Sequence, residues 1–112
     1  MTEKKESSLN LKTDPTLKDF QKYVADMGME RGFGEQRLSE TFMIFLEECG
    51  EMAKAARKSQ GIKIDKNSNE HHLDFEIADV FINLLKICND SGVDLEKAFR
   101  DKEEINKQRI WS

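Results

Sequence analysis

The chain has 112 residues, 22 Asp and Glu against 18 Lys and Arg, and a formal net charge of -4. Its length predicts one domain, and six glycines with one proline leave too few turn residues for an all-β sandwich or barrel. The acidic balance excludes a protein that coats nucleic acid or anionic membrane, which would gain nothing from counterion release or surface attraction.

Residues 1–14 are polar and without periodicity, and read as a mobile tail; residues 15–112 read as the domain. The N-terminus is charged and carries no apolar core of a signal peptide. No run approaches the roughly 20 apolar residues of a membrane span, so the expected compartment is the cytoplasm. Thr16-Leu17-Lys18-Asp19 has the form of a capping box with Asp as the reaching residue. Helix 1 follows it, with Leu17, Phe20, Val24 and Met27 at helical spacing, and its expected end is near Gly28. A loop then runs to about Gln36.

Helix 2 is predicted from about Arg37 to Ser59, with Leu38, Phe42, Phe45, Cys49, Met52 and Ala56 as its core-facing stripe. The following segment, Gln60 to Asn69, reads as a loop, with Ile62-Lys63-Ile64 as at most a scrap of extended chain. Helix 3 is predicted from Glu70 to Asp90. It is apolar nearly all round, as a helix buried on several sides should be. Ser91-Gly92 ends it, and Asp94 caps helix 4, with Val93 placed to staple onto Ala98. Helix 4 should continue to about Ile110. The expected fold is an all-α four-helix bundle, completed by homo-oligomerisation because helices apolar on more than one side need further partners. Cys49 and Cys88 form no metal-ligand spacing and read as reduced thiols on apolar faces.

Two acidic patterns carry the chemistry. Helix 2 contains Glu47-Glu48-Cys49-Gly50-Glu51, and helix 3 contains Glu76-Ile77-Ala78-Asp79. At about 100° per residue each set falls on one helix face. The polar stripe of Glu76, Asp79 and Asn83 is flanked by Val80 and Ile87 on one side and by Phe75 and Ile82 on the other. Carboxylates so enclosed need a compensating cation or hydrogen bonds, since removing charge from water costs several kcal/mol. Five carboxylates without sulfur favour a hard cation, Mg²⁺ first and Mn²⁺ as its substitute. No Glu-x-x-His pair is present to suggest a di-iron site. Of the 22 acids, 17 remain when these five are set aside, against 18 bases, so the net charge is concentrated in this one constellation. Gly50 inside helix 2 costs roughly 1 kcal/mol relative to Ala, which points to close approach of a helix, a phosphate or the metal.

These motifs resemble those of the MazG-like all-α nucleoside triphosphate pyrophosphohydrolases. Leu17 to Val24 is similar to that family's L-x-x-F-Q-x-x-V, Glu47 to Lys58 to its E-E-x-G-E-x-x-K-A-x-R-K, and Glu76 to Val80 to its E-x-A-D-V. The end, Lys102 to Trp111, resembles its K-x-x-x-N-x-x-R-x-W. The resemblance implies hydrolysis of a (deoxy)nucleoside triphosphate to the monophosphate and pyrophosphate, of the kind that serves nucleotide-pool housecleaning. It implies Mg²⁺ held by Glu48, Glu51, Glu76 and Asp79, with Glu47 as a further ligand or as the residue that orients the attacking water. It also implies a nucleotide clamp from Lys102, Asn106 and Arg109, which share one face of helix 4. Lys54 and Lys58 stand over the acidic side of helix 2, to meet phosphate or to neutralise the acids. Asn83, one turn past Asp79, is placed for a sugar or base, or is a satisfied core amide. Trp111 and Phe33 are candidate stacking groups, though such aromatics are more often core. The family resemblance implies a homodimer or homotetramer. Two alternatives stand beside this reading: a related pyrophosphohydrolase acting on dUTP or phosphoribosyl-ATP, and a non-catalytic helical interaction module.

Overall fold

Thr16 opens the first helix as its sequence demands. Its hydroxyl accepts a hydrogen bond from the Asp19 N–H (3.1 Å), while the Asp19 carboxylate accepts one from the Thr16 N–H (3.0 Å). This reciprocal pair satisfies two of the donors that a helix N-terminus leaves bare. The structure, a computed structural model, describes residues 7–32, 36–61 and 72–110. Among them are four helices and no strand: α1 (Leu17–Glu30), α2 (Leu38–Ser59), α3 (Leu73–Ser91) and α4 (Leu95–Lys107). Helix α1 runs past Gly28 to Glu30, so that glycine does not stop it. Helix α4 ends at Lys107, about one turn before Ile110. The extended scrap expected at Ile62-Lys63-Ile64 lies outside the described residues, as do Phe33 and Trp111. Among the described residues no helix is long and apolar enough to cross a membrane.

The chain divides into two compact units. One comprises Met1–Glu35 and Cys88–Ser112, and in it α1 and α4 are in contact. Val24 and Met27 of α1 and Cys88 at the end of α3 are its buried apolar residues. The corner between α3 and α4 closes on Gly92, whose φ of 68° is open to glycine and strained for other residues. Around it the Val93 N–H donates to the Cys88 carbonyl (2.9 Å) and the Gly92 N–H to that of Asn89 (3.4 Å), the paired arrangement of a Schellman cap. Asp94 then caps α4 by accepting from the Lys97 N–H (3.1 Å). Gln21 of α1 holds this corner from outside. Its Nε2 donates to the Val93 carbonyl (2.6 Å), its Oε1 accepts from the Leu95 N–H (3.1 Å), and its backbone carbonyl accepts from Asn89 Nδ2 (3.1 Å). Residues 7–14, read above as part of a tail, have no helix or strand but are tied to α1. Ser7 bonds Glu30 at 2.9 Å, and Lys12 pairs with Asp19 at 3.3 Å.

The second unit, Gln36–Ile87, holds α2 and most of α3. The most deeply buried face of α2 is not the apolar stripe expected from the sequence. Thr41 and Ala55 are buried, and Glu48, which shares their side at helical spacing, is half-buried. Leu38 and Phe42 stay exposed, and Phe45, Cys49, Met52 and Ala56 are half-buried. By residue angle the buried face is turned about 80° from the predicted stripe. The small side chains of Thr41 and Ala55 occupy it, and Glu48 on the same face reaches acids of α3. Helix α3 does meet neighbours on several sides in its later turns, where Leu85 is fully buried and residues 80–89 are all buried or half-buried. Its first turns are open, with Phe75 and Ile77 exposed.

Candidate metal centre

Three of the five carboxylates that the sequence places on two helices converge within the second unit. One oxygen each of Glu48 on α2 and of Glu76 and Asp79 on α3 lies within 4.8 Å of the other two. The convergence follows from the local sequence. The three-residue interval of Glu76 and Asp79 puts both on one side of α3, and the inward turn of α2 aims Glu48 at them. Glu48 and Glu76 are half-buried and Asp79 is exposed, so the group opens to solvent on the Asp79 side.

Electrostatically these carboxylates oppose one another. The Glu48 carboxyl is held above its ordinary range, first by burial and then by the negative charges of Asp79, Glu76, Glu47 and Glu51. Glu47 and Glu51 therefore act on Glu48 through space, but they stand outside the converged trio. Glu47 is exposed and Glu51 half-buried on the flank of α2. The donor set fits a hard divalent ion: three carboxylate oxygens, no sulfur, and an open side for water and phosphate. Two oxygens on opposite sides of Mg²⁺ stand about 4.2 Å apart. The observed spread, up to 4.8 Å, needs only a sub-ångström closing of flexible side chains to reach it.

Asn83 continues the acidic stripe one turn along α3 and is 6% exposed. Its Nδ2 donates to the Asp79 backbone carbonyl at 2.8 Å, while its buried Oδ1 has no hydrogen-bond partner among the described residues. Lys54 and Lys58 are half-buried on α2, one and two turns past Glu51.

The remaining sequence candidates belong to the first unit. Lys102 and Asn106 line one groove of α4 together with Leu95, Ala98, Phe99 and Glu103. Asn106 Oδ1 is buried there and lacks a hydrogen-bond partner among the described residues. Arg109 lies past the helix end, in the turn where its N–H donates to the Asn106 carbonyl (3.1 Å). Sequence reasoning overlooked the apolar side of this groove. Its signal was present in Leu95 and Phe99, which precede Lys102 at seven and three residues and so share its face.

A family model described as the MazG nucleotide pyrophosphohydrolase domain matches residues 36–109. That match spans both acidic motifs, Lys102, Asn106 and Arg109. No curated protein matches the chain in a sequence search.

Proposed function

Because the chain belongs to the MazG nucleotide pyrophosphohydrolase family, we propose that it is a Mg²⁺-dependent hydrolase of nucleoside or deoxynucleoside triphosphates. Water attacks and the bond between the α- and β-phosphates breaks, giving the monophosphate and pyrophosphate. A role in clearing unwanted nucleotides and a homo-oligomeric working form belong to the same reading. The observation that carries it is the convergence of Glu48, Glu76 and Asp79 within 4.8 Å, inside the segment that the family model matches.

Hydrolysis of a phosphoanhydride asks the protein mainly for position and for neutralisation of phosphate charge. Mg²⁺, or Mn²⁺ in its place, supplies positive charge at the phosphate oxygens and a more acidic water when bound. Glu48, Glu76 and Asp79 hold it, with Glu51 joining from the flank of α2. Glu47 is exposed beside this group and takes up the proton of the attacking water, or orients that water, through its carboxylate. Lys54 and Lys58 neutralise phosphate, while Lys102, Asn106 and Arg109 hold the nucleotide. The buried Oδ1 of Asn83, without a partner among the described residues, accepts a hydrogen bond from the substrate or from water at the site.

The test is a pyrophosphate-release panel over each nucleoside and deoxynucleoside triphosphate, dUTP and phosphoribosyl-ATP included, with and without Mg²⁺. Release from at least one substrate should depend on the metal, and Glu51→Gln should lower it by two or more orders of magnitude, as about 3 kcal/mol of lost transition-state stabilisation would. Silence across the panel would favour a non-catalytic module, and full activity of Glu51→Gln would remove Glu51 from the cage.

A further inference from the structure

A polar stripe runs along α3, and the carboxylates of the candidate metal centre occupy only its middle. His72, Glu76, Asp79 and Asn83 follow one another at i, i+4, i+7 and i+11, within an arc of about 60°. The Glu76 N–H donates to the His72 carbonyl (3.0 Å), so the first helical turn already includes residue 72. From His72 to Asn83 the stripe is about 16 Å long. Its ends differ. Asn83 is 6% exposed and belongs to the buried and half-buried run 80–89, whereas His72 is exposed and is followed by exposed Phe75 and Ile77.

That asymmetry gives a direction to a triphosphate held between the two ends. Carrying multiply charged phosphates to the buried end would cost desolvation, so that end suits the nucleoside. The open end keeps the β- and γ-phosphates in contact with water and gives pyrophosphate a way out. Donors are scarce along this path. Glu76 and Asp79 offer only acceptor oxygens, and Asn83 Nδ2 already bonds the Asp79 carbonyl. His72 is therefore the one residue of these four whose side chain can still donate to an anion. Lys86, the next polar residue past Asn83, is half-buried and already has a partner. Asp74, the acid nearest His72 in sequence, stands about 160° round the helix from it.

The imidazole is also oriented. Its ring meets that of Phe75 edge-on, with centroids 5.4 Å apart and planes inclined at 61°, a favoured aromatic geometry. This contact gives a use to a phenylalanine that is otherwise 63% exposed.

We propose that His72 is a further residue that touches the substrate, its imidazole N–H donating to the departing pyrophosphate, with Phe75 as the residue that positions it. The inference rests on the hydrolysis proposed above. As water attacks the α-phosphorus, the bond to the bridging oxygen breaks and that oxygen keeps the electron pair. The proton of the water leaves towards Glu47, and His72 shares its N–H without giving up a proton. Negative charge on the β-phosphate grows as the bond lengthens, so the hydrogen bond is stronger in the transition state than in bound substrate and acts on kcat.

The test compares the full chain with its His72→Ala, His72→Gln and Phe75→Leu variants in Mg²⁺. Steady-state kinetics on the best triphosphate is one readout, and calorimetric titration with pyrophosphate, which needs no turnover, is the other. His72→Ala should lower kcat and weaken pyrophosphate binding by about tenfold or more each, as loss of a hydrogen bond to a charged group does, with monophosphate binding unchanged. His72→Gln keeps an N–H donor and should recover most of both. Phe75→Leu should weaken pyrophosphate binding about two- to tenfold, and should have no further effect in the His72→Ala background. The thermal shift given by Mg²⁺ alone should be the same in His72→Ala as in wild type; its loss would make His72 a metal ligand and overturn the proposal. Unchanged kcat and pyrophosphate affinity in His72→Ala also overturn it, and leave the hydrolase reading standing where wild type turns over. A wild type silent on every triphosphate that still binds pyrophosphate through His72 upholds the contact and removes the hydrolase reading. A wild type that binds no pyrophosphate overturns the inference whatever the kinetics show.

Discussion

Replacing Glu48 by Gln should stabilise the metal-free chain and abolish its response to Mg²⁺. In the native fold the Glu48 carboxylate has an oxygen within 4.8 Å of Glu76 and Asp79 oxygens. Two like charges at that distance repel by about 1 kcal/mol at the dielectric of water and by about 3.5 kcal/mol at an effective value of 20. The group is open on one side, so the lower figure governs, and relief from two neighbours is on the order of 1–2 kcal/mol. For a domain of this size that raises the melting temperature by about 5–10 °C. Wild type should instead gain on adding metal, by about 1.4 kcal/mol at ten times the dissociation constant. The pH dependence carries the same sign. Because folding raises the Glu48 pKa, the folded chain binds its proton more tightly than the unfolded chain does. The destabilisation is present above the raised value and disappears as pH falls through it towards the unfolded carboxylate range. Metal-free wild type should therefore gain stability relative to Glu48→Gln on mild acidification. Thermal melts of both proteins, with chelator and with millimolar Mg²⁺, decide the matter. A Glu48→Gln protein less stable than metal-free wild type, or one with an undiminished Mg²⁺ shift, would refute the reasoning.

Other expectations follow from single side chains. Asn83→Leu keeps the branched shape and heavy-atom count but deletes a buried oxygen that has no partner among the described residues. It should change stability by no more than about 1 kcal/mol in urea titration while lowering kcat/KM for the best substrate at least tenfold. Gln21→Leu deprives the Val93 carbonyl and the Leu95 N–H of their bonds, and should cost about 2 kcal/mol in the same titration. Thr16→Ala breaks the reciprocal cap of α1 and should cost about 1 kcal/mol.

The starts of α1 and α4 were legible because their signals are local, whereas the expected ends at Gly28 and Ile110 were not where these helices stop. Thr16 and Asp19 predict a cap that needs no other part of the chain, and Asp94 does the same for α4. Glu76 and Asp79 were legible for a similar reason, since a three-residue interval fixes a shared face wherever the helix lies. The orientation of α2 was not legible. Its apolar residues spread over more than one face, and periodicity reports that a face avoids water without saying what covers it. The deciding contributions came from Thr41 and Ala55, whose small side chains carry little weight in an apolar pattern, and from the approach of Glu48 to acids on a distant helix. Gln21 was equally hidden. A glutamine on a helix surface looks solvated, and its role exists only once residues 89–95 have turned back to meet it.

That turn has a kinetic consequence. Gln21 and Val93 are 72 residues apart in sequence, so closing their contact constrains nearly two thirds of the chain and must be set against a correspondingly large loop-closure entropy. The N–H of Leu95, where α4 begins, is bonded by a residue of α1, which is synthesised well before it. Helix α1 must therefore wait, already synthesised, until α3 and the corner after it have emerged. Long-range closure of this kind slows folding relative to a chain of nearest-neighbour helix hairpins. It also means that a chain cut back to residues 36–109 would begin without the side chain that holds the corner of α3 and α4.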